Sequence, residues 1–461
     1  MKKGRKYNRE EIEIISKSSI GKSISDLAME ELKEISEDEL NKGSIGTIVE
    51  QYLFGMETNN ESEPDFMPAG IELKVTPYKK LNNGDLSAKE RLVLNIIDYE
   101  SEYKNDFKHS HFWFKNNTIQ ILWYLWEAEK ERKDYIITNE KLLELSKSDD
   151  LFQIEKDWNC IVDKIKAGKA DEISEADTMY LGACTKGANK ESLRKQPFSN
   201  KMAMQRAFCF KNSYMTQLVR KYIGKYSDVE KILKNTKISF DEYVKKVVNK
   251  YRGKTQNELL KELCIKSSDV NPKNLNSMII SRMFGVKNIN RTDEFLKANI
   301  YPKTIRIEKH GHIKESMSFP AFSFQEIYDT EFENSSIKAM FETSKYMFFI
   351  FQKENDDYYF KDIKLWNMPE LIINKELREV YDKTREVIKS GNVVKCIDSY
   401  GKKQSNFPGM SFNGICHVRP HGRNASDVNL LPVPDRATGM KEYTKQCFWL
   451  NNTYIESIVN E

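Results

Sequence analysis

The chain has 461 residues, 39% hydrophobic and 31% charged, with Lys+Arg 73 against Asp+Glu 69 and a formal net charge of +4. That length exceeds one typical core and predicts two or three domains. The near balance of charge means that its distribution, not its sum, must mark any nucleic-acid surface. No apolar run approaches the roughly 18 residues of a membrane span. The basic start MKKGRKYNREE has no apolar stretch of the kind a signal peptide needs. Seven scattered cysteines without a C-x-x-C pair read as reduced thiols in a cytoplasm, not as a disulfide framework or zinc ribbon.

In chain order, residues 9–55 read as helical: SISDLAMEELKEIS has a Ser/Asp start and helical apolar spacing, and IGTIVEQYLFG ends on Gly55. After the polar loop METNNESEPDF, strands are predicted at 70–78, 90–97 (ERLVLNII) and 119–126 (IQILWYLW). A charged helical stretch follows at about 151–180. FCFKNSYMTQLVRKYI (208–223) reads as a strand running into a helix, and 226–265 as a Lys/Glu-rich helical connector. The apolar run Met347–Phe351 predicts a buried strand, and YYFKDIKLW another. Strand clusters bracketed by helices suggest a mixed α/β or α+β class.

An internal repeat is visible. FCFKNSYMTQLV (208–219) matches FWLNNTYIESIV (448–459), and the loops CTKGANKES (184–192) and CHVRPHGRNASD (416–427) precede them. IVEQYLFG (48–55) pairs with IISRMFG (279–285), and AKERLVL (88–94) with IKESMSF (313–319), in the same order. The chain therefore reads as two diverged copies of one domain, 1–225 and 266–461, joined by 226–265. Aligned on Phe-Gly, Ile280 stands opposite Glu50. Glu294 is expected opposite Asp65, and Thr304 and Arg306 opposite Glu72 and Lys74.

The stretch PDFMPAGIELKVTP carries the chemistry. Ile71, Leu73 and Val75 alternate with Glu72, Lys74 and Thr76, so Glu72 and Lys74 share one face of a strand. Asp65 lies just upstream and can turn in beside them. Two converging carboxylates suit Mg2+, which takes one or two carboxylates plus water and phosphate oxygens. Lys74 could orient an attacking water, and Glu50, on the preceding helix, could support the cluster. The bland alternative is a surface ion pair on an edge strand. The same acid-x-Lys pattern recurs elsewhere, with Asp362/Lys364 the best rival.

KGSIGTIVEQYLFG followed by PDFMPAGIELKVTP resembles the catalytic region of MutH, the mismatch-repair endonucleases that nick at GATC. The resemblance rests on Lys42-Gly43, Ile45-Gly46, Glu50, Asp65, Glu72 and Lys74. The duplicated layout, with KERLVLNII, CTKGAN and SLRKQPFS, resembles the two-domain type II restriction endonucleases of the Sau-three-A kind, which cut before the G of GATC. The resemblance implies two tandem restriction-endonuclease-like (PD-(D/E)xK) domains, each a central mixed sheet flanked by helices. It implies Mg2+ as cofactor, GATC duplex DNA as substrate and a companion DNA methyltransferase. It also implies a second domain that binds DNA as an effector without cutting, so that two chains meet on DNA and loop it.

From Cys184 to Lys225 there are ten basic residues and one acidic residue, Glu191. Such a segment supplies phosphate contacts. Lys186 and Asn189 are the candidates for base-edge contacts, as Lys to guanine and Asn to adenine, with Arg419 and Asn424 as expected counterparts in the second copy. Lys42, Lys115 and Lys211 complete the expected DNA-contacting set. His417 and His421 near Cys416 lack a second pair at zinc spacing, so a metal site is disfavoured there. Trp449 reads as core before DNA. The rival readings are a MutH-like nicking enzyme and a DNA-binding regulator with a relic site. The second copy speaks against the first, and the intact acidic set against the second.

Overall fold

The structure, a computed structural model, describes residues 6–29, 45–56, 62–81, 84–187, 192–224, 229–234, 238–266, 274–397, 399 and 403–460. It divides into two compact units, Met1–Phe240 with Arg291–Asn299, and Asp241–Asn290 with Ile300–Glu461. None of its described helices is long and apolar enough to cross a membrane.

The first unit opens with α1 (Arg9–Ser18), α2 (Ile24–Met29) and α3 (Ile45–Ile48), which runs on as a π-helical turn, Val49–Leu53. Asn8 and Glu11 form a capping box at the start of α1, each side chain accepting the other's backbone N–H. Its main sheet holds β1 (Glu72–Lys80), β2 (Leu86–Ala88), β4 (Thr118–Leu125) and β5 (Ile137–Glu144) in the order β2-β1-β4-β5. β1 and β4 are parallel and central, and their antiparallel neighbours close the edges. α4 (His111–Asn116) leads into β4 and is capped by the Ser110 hydroxyl. Leu73, Leu122 and Tyr124 pack one face of this sheet onto Ile12, Ile24, Leu27, Ile48 and Val49 of the three helices. The apolar half of the β1 alternation goes there, so Glu72 and Lys74 must emerge on the opposite face.

A second sheet, β3-β9-β6, joins β3 (Leu92–Ile96), β9 (Arg206–Phe210) and β6 (Leu181–Thr185). Between β6 and β9 a short hairpin forms from β7 (Leu193–Arg194) and β8 (Ala203–Met204). β9 runs directly into α6 (Asn212–Tyr222), as the sequence predicts. The helix predicted over 151–180 is shorter. α5 spans Leu151–Lys166, and two 3-10 turns carry the chain on to β6. Within that stretch the Asp157 carboxylate accepts the N–H groups of Met179, Tyr180 and Leu181 and fixes the approach to β6.

The second unit repeats the plan. α7 (Phe240–Tyr251), α8 (Gln256–Glu262) and α9 (Leu275–Met283) come first, and α10 (Asp293–Ala298) follows among the residues grouped with the first unit. β10 (Ile300–Ile307) pairs in parallel with β12 (Lys345–Glu354), which pairs antiparallel with β13 (Asp357–Trp366). β11 (Met317–Ala321), β19 (Gln446–Leu450) and β16 (Cys416–Pro420) form the second sheet in the order β11-β19-β16. Two hairpins, β14 (Val394–Ile397) with β15 (Lys403–Ser405) and β17 (Val428–Leu430) with β18 (Glu442–Thr444), lie on the chain around β16. The helices α11 (Phe324–Asp329), α12 (Ser336–Thr343), α13 (Arg378–Ser390) and α14 (Asn452–Asn460) complete it. Met347–Phe351 is fully buried in β12, as its run of apolar residues predicts.

Candidate active site and DNA-facing loops

The face of β1 opposite the helices carries the charged group. Glu72 is only 2% exposed. Its Oε1 lies 2.8 Å from Lys74 Nζ and its Oε2 3.8 Å from Lys115 Nζ, which arrives from α4. The Asp65 N–H reaches Glu72 Oε2 at 3.3 Å, and Asp65 Oδ2 accepts the Leu73 N–H at 2.9 Å. Asp65 is thus folded back onto the start of the strand. Gly70, at φ +63, makes the left-handed turn between them, a conformation that favours glycine.

Electrostatics tie Glu50 to this group. Burial is the largest effect on its carboxyl, and the nearby Asp65 adds to it; together they push its pKa up to about 7. Burial also raises Glu72, with Lys74 pulling the other way. Three mutually repelling carboxyl groups face two ammoniums, so the cluster is short of positive charge and a hard cation would relieve it. Among the described residues, no three His, Cys, Asp or Glu side chains come close enough to cage a metal by themselves. Asp65 and Glu72 fit the sparser donor set of magnesium, which leaves positions for water and phosphate. Glu50 sits on the π-helical turn of α3, a distortion frequent at functional sites.

The second unit keeps the scaffold but not Glu50 or Glu72, in a register three residues from the expected one. Asn299, at φ +52, stands before β10 as Gly70 stands before β1. Counting from there places Tyr301 and Lys303 opposite Glu72 and Lys74, and Glu294 opposite Asp65. Thr304 and Arg306 are not the counterparts. The seven-residue step from Asp65 to Glu72 recurs from Glu294 to Tyr301, a signal already present in the sequence. The Glu294 carboxylate accepts the backbone N–H groups of Ile232 and Leu233 at 3.0 and 2.9 Å. Lys303 has no carboxylate beside it in the register; its Nζ is 3.5 Å from the Ser318 carbonyl and lies over the Phe319 ring. Ile280 is buried where Glu50 stands in the first unit. The rival pair Asp362/Lys364 is dispersed: Asp362 binds Arg252, and Lys364 binds the Ile458 carbonyl.

The expected DNA contacts divide in three. Lys186 is exposed at the end of β6, with its N–H on the Gln205 carbonyl at 2.9 Å. Lys42 and Asn189 lie outside the described residues. Lys211 is a correction. It is buried, and its Nζ donates to the Thr178 carbonyl at 2.6 Å, so it cannot reach a phosphate. With Glu175 it fills the space above Gly182, where a Cβ would stand 2.9 Å from Glu175 Cγ and 3.3 Å from Lys211 Cε.

Strand pairing explains that lysine and re-registers the loop of the second unit. β16 pairs with β19 as β6 pairs with β9, and the His421 N–H meets the Lys445 carbonyl at 2.9 Å as the Lys186 N–H meets Gln205. His421 is therefore the counterpart of Lys186. Arg419, expected in that role, stands opposite Cys184, with its guanidinium 3.9 Å from the centre of the Trp449 ring. Asn424 keeps the register of Asn189; it is exposed, and its Oδ1 accepts from the Ser426 N–H and hydroxyl. Gly182 and Lys211 are replaced by His417 and Asn451, whose Nδ1 and Oδ1 lie 2.5 Å apart. A small residue beneath a long one becomes a large residue beneath a short one. His417 is buried within the sheet.

Comparisons with known proteins agree with this geometry. The family described as "DNA mismatch repair enzyme MutH" matches residues 54–157, which include Asp65, Glu72, Lys74 and Lys115. The chain is 25% identical over 33% of its length to a DNA mismatch repair protein MutH from Pasteurella multocida, covering 66% of that protein. It is 24% identical over 41% of its length to the MutH protein of Shewanella woodyi, covering 80% of it. It is 36% identical to the type II restriction enzyme Sau3AI of Staphylococcus aureus, over 97% of both chains. With one MutH-like charged strand in the first of two units of like topology, and a match that runs through both, the chain belongs to the family of the type II restriction enzyme Sau3AI.

Proposed function

We propose that the first unit hydrolyses phosphodiester bonds of double-stranded DNA at GATC, cutting before the G, with Mg2+ held by Asp65 and Glu72. The observation that carries this reading is the Glu72 carboxylate, buried between Lys74 and Lys115 and touched by the Asp65 backbone. The bound metal would neutralise charge on the scissile phosphate and lower the pKa of a water. Lys74, anchored on Glu72, orients the attacking water and stabilises charge that develops on the phosphate oxygens. Lys115 holds the second Glu72 oxygen and lies near enough to meet a phosphate. The water oxygen bonds to phosphorus as the bond to O3′ breaks. The O3′ takes a proton, leaving a 5′-phosphate and a 3′-hydroxyl.

The GATC assignment rests on the resemblance to the restriction enzymes and on the exposed Lys186 at a loop in the matching place. The second unit serves as a DNA-binding effector domain without catalysis. Each chain then cuts one strand, and binding of a second site by the effector domain brings two chains together on looped DNA. Protection of the host's own sites falls to a companion methyltransferase. A MutH-like nicking role is supported by matches to 33–41% of the chain, which leave the second unit unexplained.

The test is end mapping. A 5′-labelled duplex with one GATC, and another with the four bases permuted, are incubated with protein and Mg2+. Product ends before the G, ligatable through a 5′-phosphate and found only in the GATC duplex, are expected. Equal cutting of both duplexes would remove the sequence assignment. Single-strand nicks alone would favour the repair reading.

A further inference from the structure

Among the described residues, four non-glycine residues have positive φ: Phe198, Cys264, Asn299 and Asn355. Asparagine tolerates that region, but a bulky aromatic there is a genuine outlier. Phe198, at φ +62, sits at the tip of the β7–β8 hairpin and is 69% exposed. It therefore does not fill the core, and its ring packs T-shaped against Tyr103, with centroids 5.4 Å apart. Strain held at an exposed aromatic needs a reason outside the fold.

The hairpin backbone beneath that ring is pinned. Gln196 is buried beneath the tip; its Oε1 accepts the Ala170 N–H at 2.7 Å, and its Nε2 donates to Asp171 Oδ1 at 2.9 Å and to the Lys201 carbonyl at 3.0 Å. The Phe198 carbonyl presses on Gly168, where any Cβ would stand 2.6 Å from it. Two further apolar side chains of the hairpin are also exposed, Leu193 at 38% and Met202 at 45%. The exposed cations Arg194 and Lys195 follow Leu193 on the same hairpin. The hairpin is joined to the Lys186 loop through Gln205, whose N–H donates to Ser192 and whose carbonyl accepts the Lys186 N–H.

We propose that Phe198 is a DNA wedge, inserted through the groove beside the recognition site to unstack one base step. The inference rests on the DNA reading above. Cations on the hairpin suit the phosphates, while a rigid apolar tip has no use for them. Apolar side chains that enter between base steps kink the duplex and widen the surface available to the protein. The strained backbone is consistent with a residue placed for contact and not for stability.

The experiment places 2-aminopurine, one position at a time, in and beside GATC in a duplex bound by the full-length protein in the presence of chelator. The wild-type protein should raise the fluorescence severalfold at one step. Phe198→Asn, a residue at home at positive φ, should lose that rise while its thermal midpoint does not fall. Phe198→Leu, also a wedge-capable side chain, should keep most of it. Equal profiles for the wild-type and Phe198→Asn proteins would overturn the wedge alone. A wild-type protein that fails to bind the duplex would overturn the DNA reading and the wedge with it. Self-association without DNA that Phe198→Asn abolishes, with fluorescence unchanged, would make the ring a protein contact and overturn the proposal.

Discussion

The two units share the pairing of their central strands, though the second lacks a described counterpart of β2, yet only one carries a carboxylate on the face of its first parallel strand. At the position of Glu72 the second unit has Tyr301, stacked on Tyr346 with ring centroids 5.9 Å apart. At the position of Glu50 it has buried Ile280, and Glu294, which groups with the first unit, is spent on the backbone of 232–233. Lys303 remains, and burial lowers its pKa, with only the Cys447 thiol pulling the other way. The comparison teaches that the scaffold does not need the charges. β10 and β12 pair in parallel without them, so in the first unit Glu72 is buried at a cost that packing does not require. A buried charge of that kind points to chemistry.

The strongest way to break the comparison is at Lys74. Lys74→Ala leaves Glu72 with a lost partner and the water without its orienter. Single-turnover cleavage should fall by about 10³-fold or more, on the scale of several kcal/mol at tenfold per ~1.4 kcal/mol, while duplex binding in chelator persists. Adding Tyr301→Glu to Glu72→Ala should restore no cleavage, because Glu294 is still held by backbone N–H groups and Ile280 supplies no carboxylate. Recovery of cutting would show the second unit to be one residue from activity.

The two lysines of the first unit's DNA segment should separate next. Lys186→Ala should weaken GATC binding by about 1–3 kcal/mol and relax the sequence preference. Lys211→Met should leave titrated affinity unchanged and lower the thermal midpoint, because it breaks a buried hydrogen bond to Thr178. The exchange of Gly182/Lys211 for His417/Asn451 offers a finer test. Gly182→His and Lys211→Asn should each destabilise, and the double variant should recover roughly 0.5–3 kcal/mol relative to their sum in denaturant melts.

The smallest effect is a titration. The Glu50 carboxyl, raised to about 7 from 4.5, binds its proton more tightly folded than unfolded. The metal-free protein therefore loses stability as pH rises from 4.5 to about 7, and the loss is complete above that window. Glu50→Gln carries no such titration. Its melting advantage over the wild-type protein should grow across the same window and level off beyond it.

Much of this was legible in the sequence. Alternation in IELKV placed the apolar half of β1 on the helices, and FCFKNSYM announced the strand-to-helix step that both units share. The repeat itself was visible from short matched segments. Register was harder, because the adjacent polar residues Lys303 and Thr304 allow a polar alternation in either phase, 301/303 or 304/306. The left-handed residue before each strand, Gly70 or Asn299, settles it only once backbone angles are known. Lys211 looked like its basic neighbours, since sequence carries no sign that a glycine beneath will draw a lysine inward. Charge alone favours Arg419 over His421 in that loop, and only the strand pairing reverses the choice.

The most direct test of a single active site in the first unit is cleavage of a plasmid with mapped GATC sites in Mg2+, by the wild-type protein and by Glu72→Ala. The account predicts double-strand cuts at those sites by the wild-type protein and none by the variant, which still binds the DNA. Cutting by Glu72→Ala at wild-type rates would contradict it and move the chemistry elsewhere in the chain.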